Sequence, residues 1–258
     1  MDLGLQNKLA LVTGGSRGLG RECALSLARE GARVAICGRT LATLEDTVDE
    51  LKAQGADARC FVADISDDNS VGTLYGEIKN LMGNVDILVN NAGGTRSRED
   101  ISSVSLSDFK GTFDLNVFGA LSLMKYVVPD MKENKWGRIV NIASIWGREF
   151  GGNVSYMAAK AALIGVTKNA AISLAPHGIL VNSIAPGSIA HPGGSWERFQ
   201  EDNTDDIVDE FIDRNLPLGR FGWPQPVGDL VAFLSSDRAG LITGSCIVVD
   251  GGQSKSMI

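Results

Sequence analysis

The chain has 258 residues, 44% hydrophobic and 21% charged, with a net charge of −7. That size and composition support one large α/β domain or two small ones around a substantial core. The acidic balance argues against a nucleic-acid surface and makes any phosphate site a local basic feature.

The 31 glycines against 7 prolines suggest tight strand-to-helix turns. Cys23, Cys37, Cys60 and Cys246 are scattered, with no C-x-x-C and no nearby histidine pair. No metal is therefore expected, and reduced thiols packed as small apolar residues suit a reducing compartment. The N-terminal stretch MDLGLQNKLALVTGG lacks the basic, apolar and cleavage segments of a secretory leader. No run of 18 apolar residues occurs, so the reading is a cytoplasmic protein with no membrane span.

Seven short apolar runs, at 8–13, 33–37, 59–63, 86–90, 138–143, 179–185 and 245–249, each read as a buried strand. Helical patterns at 19–30, 41–54, 67–82, 106–134, 154–175 and 226–236 alternate with them. Apolar runs buried on both faces and joined by helices predict a Rossmann-type, doubly wound, seven-stranded parallel sheet with helices on both faces. No linker divides the chain, so residues 1–258 read as one dinucleotide-binding domain. Residues 187–223 break the alternation with glycines, two tryptophans and the acidic run EDNTDDIVDE. Placed after a strand's carboxyl end, this excursion reads as a substrate lid, with a solvated helical excursion as the alternative.

The first strand runs into Thr13-Gly14-Gly15-Ser16-Arg17-Gly18-Leu19-Gly20, and a helix follows. Gly14 permits the sharp turn, while Gly18 and Gly20 let the backbone approach a pyrophosphate at the positive helix N-terminus. The T-G-x-x-x-G-x-G spacing resembles the compact, single-domain short-chain dehydrogenase/reductase family, including its 3-oxoacyl-carrier-protein reductase-like members. The resemblance continues through Asp64 after the third strand, Asn90-Asn91-Ala92-Gly93 after the fourth and Asn116 in the long helix. Ser144, Tyr156-x-x-x-Lys160, Pro186-Gly187 and Val249-Asp250-Gly251-Gly252 complete the series.

That resemblance implies a catalytic set of Asn116, Ser144, Tyr156 and Lys160. It also implies a cofactor set of Gly14, Ser16, Arg17, Gly18, Leu19, Gly20, Arg39, Asp64, Ile65, Asn91, Ala92, Gly93, Tyr156, Lys160, Pro186, Gly187 and Ile189. Asn90 is expected only near the cofactor. In the family's pattern Tyr156 is the acid/base, Lys160 also binds the nicotinamide ribose, Ser144 holds the substrate oxygen, and Asn116 anchors a proton-relaying water.

Tyr156 and Lys160, four residues apart on a helix, share one face. A free phenol titrates near ~10, and a neighbouring ammonium and a positive nicotinamide both favour the phenolate. The sequence therefore predicts a Tyr156 phenol pulled well below its ordinary value, able to exchange protons with an alkoxide.

Cofactor choice rests on two arginines. Strand two ends Cys37-Gly38-Arg39 without the aspartate that suits a ribose 2′-hydroxyl, and Arg17 projects from the glycine loop. Guanidinium groups suit a 2′-phosphate, so NADP (NADPH) is expected rather than NAD, with two solvated surface arginines as the alternative.

The chain departs from the family where a threonine often follows Pro-Gly. Here Ser188-Ile189-Ala190-His191 stands instead, with His191 at that place. The serine-to-tyrosine spacing is also short, implying a tightened loop over 145–153. Trp146, Phe150, Trp196 and Phe199 read either as pocket walls or as ordinary packing.

Docking an acyl-carrier protein calls for basic residues near the site's mouth. At the corresponding places the chain has Asn134 and His177 beside an acidic excursion. A free small-molecule carbonyl or secondary alcohol is thus preferred as substrate, with 3-oxoacyl-carrier-protein reduction as the alternative. A non-catalytic NADP(H) sensor would have no need of the intact Tyr156, Lys160 and Ser144. A lyase on this fold would give up the glycine loop, and an epimerase would need a larger C-terminal domain.

Helices 106–134 and 154–175 carry apolar residues beyond one stripe. Met157, Ala161, Leu163, Ile164, Val166, Ala170, Ile172 and Leu174 spread around the second, beside the small Ala158, Ala159, Ala162 and Gly165. Such a helix needs burial on a second side. With the family's two isologous interfaces this implies a homotetramer.

Overall fold

Along β1 (Leu9–Thr13) every side chain is buried, and the two faces of the strand feed two different cores. Ala10 and Val12 pack on one side of the sheet, Leu9 and Leu11 on the other. That alternation follows from the two-residue repeat of a strand, and burial of both faces is what a helix-covered parallel sheet requires. In the computed structural model, which describes residues 2–97 and 99–257, six further strands join β1. They are β2 (Arg33–Gly38), β3 (Ala58–Val62), β4 (Ile87–Asn90), β5 (Gly137–Ile142), β6 (Ile179–Pro186) and β7 (Cys246–Val249). All pairings are parallel, in the order β3-β2-β1-β4-β5-β6-β7.

The helices in chain order are α1 (Gly18–Arg29), α2 (Leu41–Ala53), α3 (Asp68–Met82), α4 (Leu106–Phe113), α5 (Gly119–Asn134) and α6 (Val154–Leu174). Then come α7 (Ser195–Asp202), α8 (Asp205–Asn215) and α9 (Gln225–Ser235). Helices α1, α2 and α9 cover the Val12 face, while α3, α5 and α6 cover the Leu11 face. The strand order reverses between β1 and β4, so their carboxyl ends open a crevice where doubly wound sheets bind ligands. None of the helices among the described residues is long and apolar enough to cross a membrane.

Three sequence expectations are refined. The single helix expected over 106–134 is two helices separated by a π-type turn, Asp114–Phe118. One inserted residue barely disturbs an amphipathic pattern, so the sequence reads through it. The strands expected to be buried at 59–63 and 245–249 lie at the sheet's edges. In β3 Arg59 and Val62 are exposed, and no residue of β7 is fully buried, because an edge strand lacks a neighbour on one side.

Residues 187–223 form α7 and α8, held at their base by a parallel bridge between Ile189 and Gly222. Ala190 N–H donates to the Gly222 carbonyl and Gly222 N–H to that of Ser188, each at 2.9 Å. Neither helix buries a residue fully, so the excursion is held together by rings. Trp196, Phe199, Phe211 and Phe221 make mutual contacts, with Trp196 and Phe211 centred 4.9 Å apart.

Candidate active site

The glycine loop after β1 is fastened to the loop after β4. The Thr13 hydroxyl accepts from Asn91 N–H and Ala92 N–H, both at 2.9 Å. Asn91 Nδ2 donates back to the Thr13 carbonyl at 2.8 Å and to that of Gly14 at 3.2 Å. Thr13, which sequence reasoning left out of the site, joins the two loops; its signal was its place at the end of the first strand, immediately before Gly14.

Above it, α1 begins at Gly18, and its N-cap Arg17 supplies no side-chain cap. The first amides of the helix thus point outward with the dipole's positive end behind them, the arrangement that takes a phosphate. A Cβ on Gly20 would collide with the Gly14 carbonyl and Asn91 Nδ2, so the loop closes only with glycine there.

These loops border a cleft of about 1960 Å³ that runs from Arg39 past Tyr156 to Trp196 and Phe199. Gly14, Ser16, Arg17, Leu19, Gly20, Arg39, Asp64, Ile65, Asn91, Ala92, Gly93, Pro186, Gly187 and Ile189 of the expected cofactor set line it, as do Ser144, Tyr156 and Lys160. Arg17 and Arg39 are both exposed at one end. The Asp64 carboxyl is held below the usual range chiefly by the Ser66 hydroxyl at 2.6 Å, against the effect of burial, with Arg39 and Arg96 assisting. An uncapped helix end, glycines with no room for a Cβ and two exposed guanidiniums fit a phosphorylated dinucleotide. Among the described residues no group of three or more His, Cys, Asp or Glu is placed to hold a metal ion.

In the middle of the cleft Ser144, Tyr156 and Lys160 come together, with Asn116 buried behind the wall rather than lining it. Lys160 is only 3% exposed, and its Nζ donates to the Ile142 carbonyl at the end of β5, at 2.7 Å. Asn116 lies in the π-type turn and is 1% exposed. Its Nδ2 donates to the carbonyls of Gly94 and Thr112 at 2.6 and 2.7 Å, and its Oδ1 accepts from Gly94 N–H at 3.1 Å. A Cβ on Gly93 would stand 2.7 Å from Asn116 Oδ1 and 3.0 Å from Lys160 Nζ, so Gly93 fits between the two. Ser144, which caps the turn at 145–147 by accepting from Trp146 N–H at 3.2 Å, stands beside the Tyr156 phenol. Trp146 meets the Tyr156 ring edge-on, with centroids 6.4 Å apart.

In the protein alone the Tyr156 phenol shifts opposite to the direction expected with a positive nicotinamide beside it. Burial pushes the phenol up to about 12, and the Ser144 hydroxyl offsets only part of that. The same burial pushes the Lys160 ammonium down to about 8. The ammonium sits 5.5 Å from the centre of the tyrosine ring and donates to the Ile142 carbonyl. Desolvation then outweighs the charge of the neighbour.

Two further expectations change. Asn134 ends α5 just before β5, and His177 precedes β6, so both lie at the amino ends of the strands, opposite the cleft. They therefore say nothing about what docks at its mouth. Phe150 borders the cleft but is 92% exposed, at the rim, whereas Trp146, Trp196 and Phe199 are half-buried in its wall. The sequence reading also missed Asn153. Its Oδ1 accepts from Tyr156 N–H at 3.0 Å and from the Thr95 hydroxyl at 3.1 Å, capping α6 and tying it to the loop after β4. An asparagine three residues before a helical tyrosine is a legible cap signal.

A family model described as Enoyl-(Acyl carrier protein) reductase matches residues 14–254. The chain is 38% identical over 250 residues to the 3-oxoacyl-(acyl-carrier-protein) reductase of Staphylococcus aureus, covering 95% of this chain and 97% of that protein. It is 36% identical over 252 residues to a hydroxy(phenyl)methylsuccinyl-CoA dehydrogenase subunit of Thauera aromatica, with 98% of each covered. Among solved structures, L-sorbose reductase of Gluconobacter frateurii in complex with NADPH and L-sorbose superimposes with a TM-score of 0.93. The identity is 30%, and 100% of both chains is covered.

Replacing Asn153 by alanine removes the α6 cap and is expected to lower stability by about 1 kcal/mol. Urea unfolding measures it; an unchanged midpoint would show that the cap contributes nothing.

Proposed function

The chain belongs to the short-chain dehydrogenase/reductase family, and from that premise we propose that it is an NADP(H)-dependent oxidoreductase moving a hydride between the nicotinamide and a carbonyl or secondary-alcohol carbon of a small molecule. The observation that carries this reading is the gathering of Ser144, Tyr156 and Lys160 in a cleft that Arg17 and Arg39 also line, with the buried Asn116 meeting Lys160 across Gly93. The whole chain serves as one dinucleotide-binding domain.

Each residue has a role in this reading. The outward amides of Gly18, Leu19 and Gly20 take the diphosphate, aided by Ser16 in the same loop. Arg39 and Arg17 take the 2′-phosphate, and Asp64 and Ile65 border the adenine. Asn91, Ala92 and Gly93 form the floor, and Pro186, Gly187 and Ile189 the opposite wall at the nicotinamide end. Bound there, the nicotinamide supplies or accepts the hydride.

Tyr156 gives its phenolic proton to the substrate oxygen during reduction and takes it back during oxidation. A phenol pushed up to about 12 stays protonated at neutral pH, which suits the reducing direction in the free protein. Ser144 donates to the same substrate oxygen. Lys160 holds the nicotinamide ribose, and its positive charge favours the phenolate once the proton has left. Asn116 turns its side chain onto Gly94 and Thr112, which holds open a π-type turn where a relaying water can bind.

Residues 187–223 act as the substrate lid. Their rings reach the site through Trp146, which contacts both Tyr156 and Trp196. The preferred substrate is a free ketone or alcohol, as with the sorbose reductase. A 3-oxoacyl-carrier-protein thioester is the second reading, favoured by the relatives named for that reaction. Four scattered thiols with no disulfide among them suit work in the cytoplasm.

Assembly is proposed as a homotetramer. Ile172 on α6 is 71% exposed, and a concavity between α5 and α6 is lined by Leu121, Met124, Val128, Gly165 and Val166. A copy of the same pair of helices fits such a face, and the β7 edge offers a second interface.

NADPH oxidation, followed optically, should proceed with ketones or diketones in the wild-type protein. Tyr156→Phe keeps the ring and should bind NADPH while kcat falls ~10²-fold, the usual contribution of an acid/base group. A mutant retaining more than about a tenth of wild-type kcat would sink the assignment. Turnover confined to acyl-carrier-protein thioesters would move the substrate to the second reading. Arg39→Ala should raise KM for NADPH about ten- to a hundredfold and leave NADH nearly untouched. Wild-type preference for NADH would refute the cofactor choice. Light scattering coupled to gel filtration should give the mass of four chains; the mass of one chain at micromolar concentration refutes assembly.

A further inference from the structure

His191 stands where the family often has a threonine, and neither the hydride chemistry nor the choice of nucleotide uses it. Its imidazole lies flat on the glycine loop. A Cβ on Gly18 would fall 2.6 Å from both Cε1 and Nε2 of the ring and 2.8 Å from Nδ1. Gly18, at φ +55°, is the first residue of α1, so the ring rests beside the outward amides at that helix end. The segment carrying it is held there from the other side as well, since Arg17 Nη1 donates to the Gly193 carbonyl at 3.3 Å.

The hydrogen bonding of the ring fixes what it can offer an anion. Nδ1 lies 3.1 Å from the Pro192 carbonyl, an acceptor, so that contact is a hydrogen bond only in the forms that carry a proton on Nδ1. In the neutral tautomer Nε2 is then a bare lone pair, which repels a phosphate oxygen. Of the forms that keep the Nδ1 bond to Pro192, only the imidazolium also places a donor at Nε2.

The charged groups around it favour that form beside an anion. Arg17 comes from the glycine loop, and Arg198 of α7 lines the same cleft. The nearby carboxylate, Glu197 of α7, accepts from Gly193 N–H at 2.6 Å. A bound diphosphate would offset the Arg17 charge and stabilise the imidazolium beside it.

We propose that His191 is a diphosphate ligand of the cofactor site, and that the cofactor binds together with one proton taken up by this imidazole. The inference rests on the dinucleotide reading of the cleft. The proton comes from solvent, stays on His191 while the diphosphate is bound, and returns on release. It is separate from the proton that Tyr156 transfers. Cofactor affinity therefore falls as pH rises through the range in which histidine loses its charge, below the pH at which Lys160 titrates.

The sequence has only two histidines, which makes the test direct. The probes are NADPH and NADH; NADH keeps the diphosphate and lacks the 2′-phosphate, whose own ionisation would otherwise intrude. Binding is read by nucleotide fluorescence from about pH 5.5 to about pH 7.5, with wild type compared against His191→Gln and His191→Thr. Wild-type affinity for both nucleotides should fall about five- to tenfold across that range, while the two variants vary by about twofold or less.

Histidine NMR at about pH 7.5 gives a second reading that needs no variant. Adding NADH should move the His191 ring resonances towards their protonated positions and leave those of His177 in place. Equal pH dependence in wild type and variants, or a His191 signal that does not move to its protonated position, overturns the inference and leaves the cofactor reading intact. A pH effect seen with NADPH but not NADH overturns it too, because the 2′-phosphate is then the group sensed. A wild-type protein that binds neither nucleotide overturns the cofactor reading, and this inference with it.

Discussion

A buried ammonium organises the site. Taking a lysine out of water costs several kcal/mol unless dipoles or an anion replace the lost hydration. Lys160 has the Ile142 carbonyl at 2.7 Å, from the very end of β5, and burial still pushes its titration down to about 8. The position of that carbonyl fixes where α6 crosses the sheet, and with it where Tyr156 stands one helical turn earlier. Nearby backbone has to yield to the same charge. Gly93 is a glycine because Lys160 Nζ and Asn116 Oδ1 occupy the space of a side chain. A cation kept partly unsatisfied is ready for further oxygen ligands, and the hydroxyls of a ribose are of that kind.

Asn116 supplies the complementary constraint. An asparagine inside a helix competes with the helix for its own backbone, and this one takes the Thr112 carbonyl four residues back. The same Nδ2 also donates to the Gly94 carbonyl, and Oδ1 accepts from Gly94 N–H. The chain accommodates this with an extra residue in the turn at 114–118, where the regular ladder is interrupted. The π-type turn and the four-residue spacing of Tyr156 and Lys160 thus act on the cleft from two helices. Each is held by a backbone group at a strand or loop end.

The fold was legible because its signals are local and repeated. Alternating faces in β1, an apolar run in β5 and the glycine loop before α1 each state their environment within a few residues. The site motifs were legible for the same reason. What the sequence could not show depends on direction and neighbourhood. Asn134 and His177 seemed near a docking mouth until the strand directions placed them at the opposite end of the sheet. The Tyr156 phenol was expected to lose its proton easily because a lysine is four residues away. Spacing says that two residues share a face, but not how deeply both are buried, and here burial decides the direction for the phenol and for the ammonium. The edge positions of β3 and β7 were hidden because pairing partners are set by topology, not by the strand's own residues.

The substrate end of the cleft obeys a different logic from the cofactor end. At the cofactor end the backbone presents amides, and the groups it faces are nearly independent of side-chain packing. At the substrate end the wall is an extension of the excursion's own core. Trp146 touches Tyr156 on one side and Trp196 on the other, and Trp196 leads into Phe199, Phe211 and Phe221. Ring pairs of this kind contribute about 0.5–1.5 kcal/mol each beyond their burial, so these contacts account for much of the order in two helices that bury no residue fully. A change in Trp196 made to alter substrate size therefore also loosens the segment that carries it. Trp146 is anchored differently, on the turn that follows Ser144 and against the backbone of Gly152, where a Cβ would stand 2.6 Å from the indole. Pocket shape at Trp146 is thus set by the rigid sheet side of the cleft, and at Trp196 by the stability of the excursion.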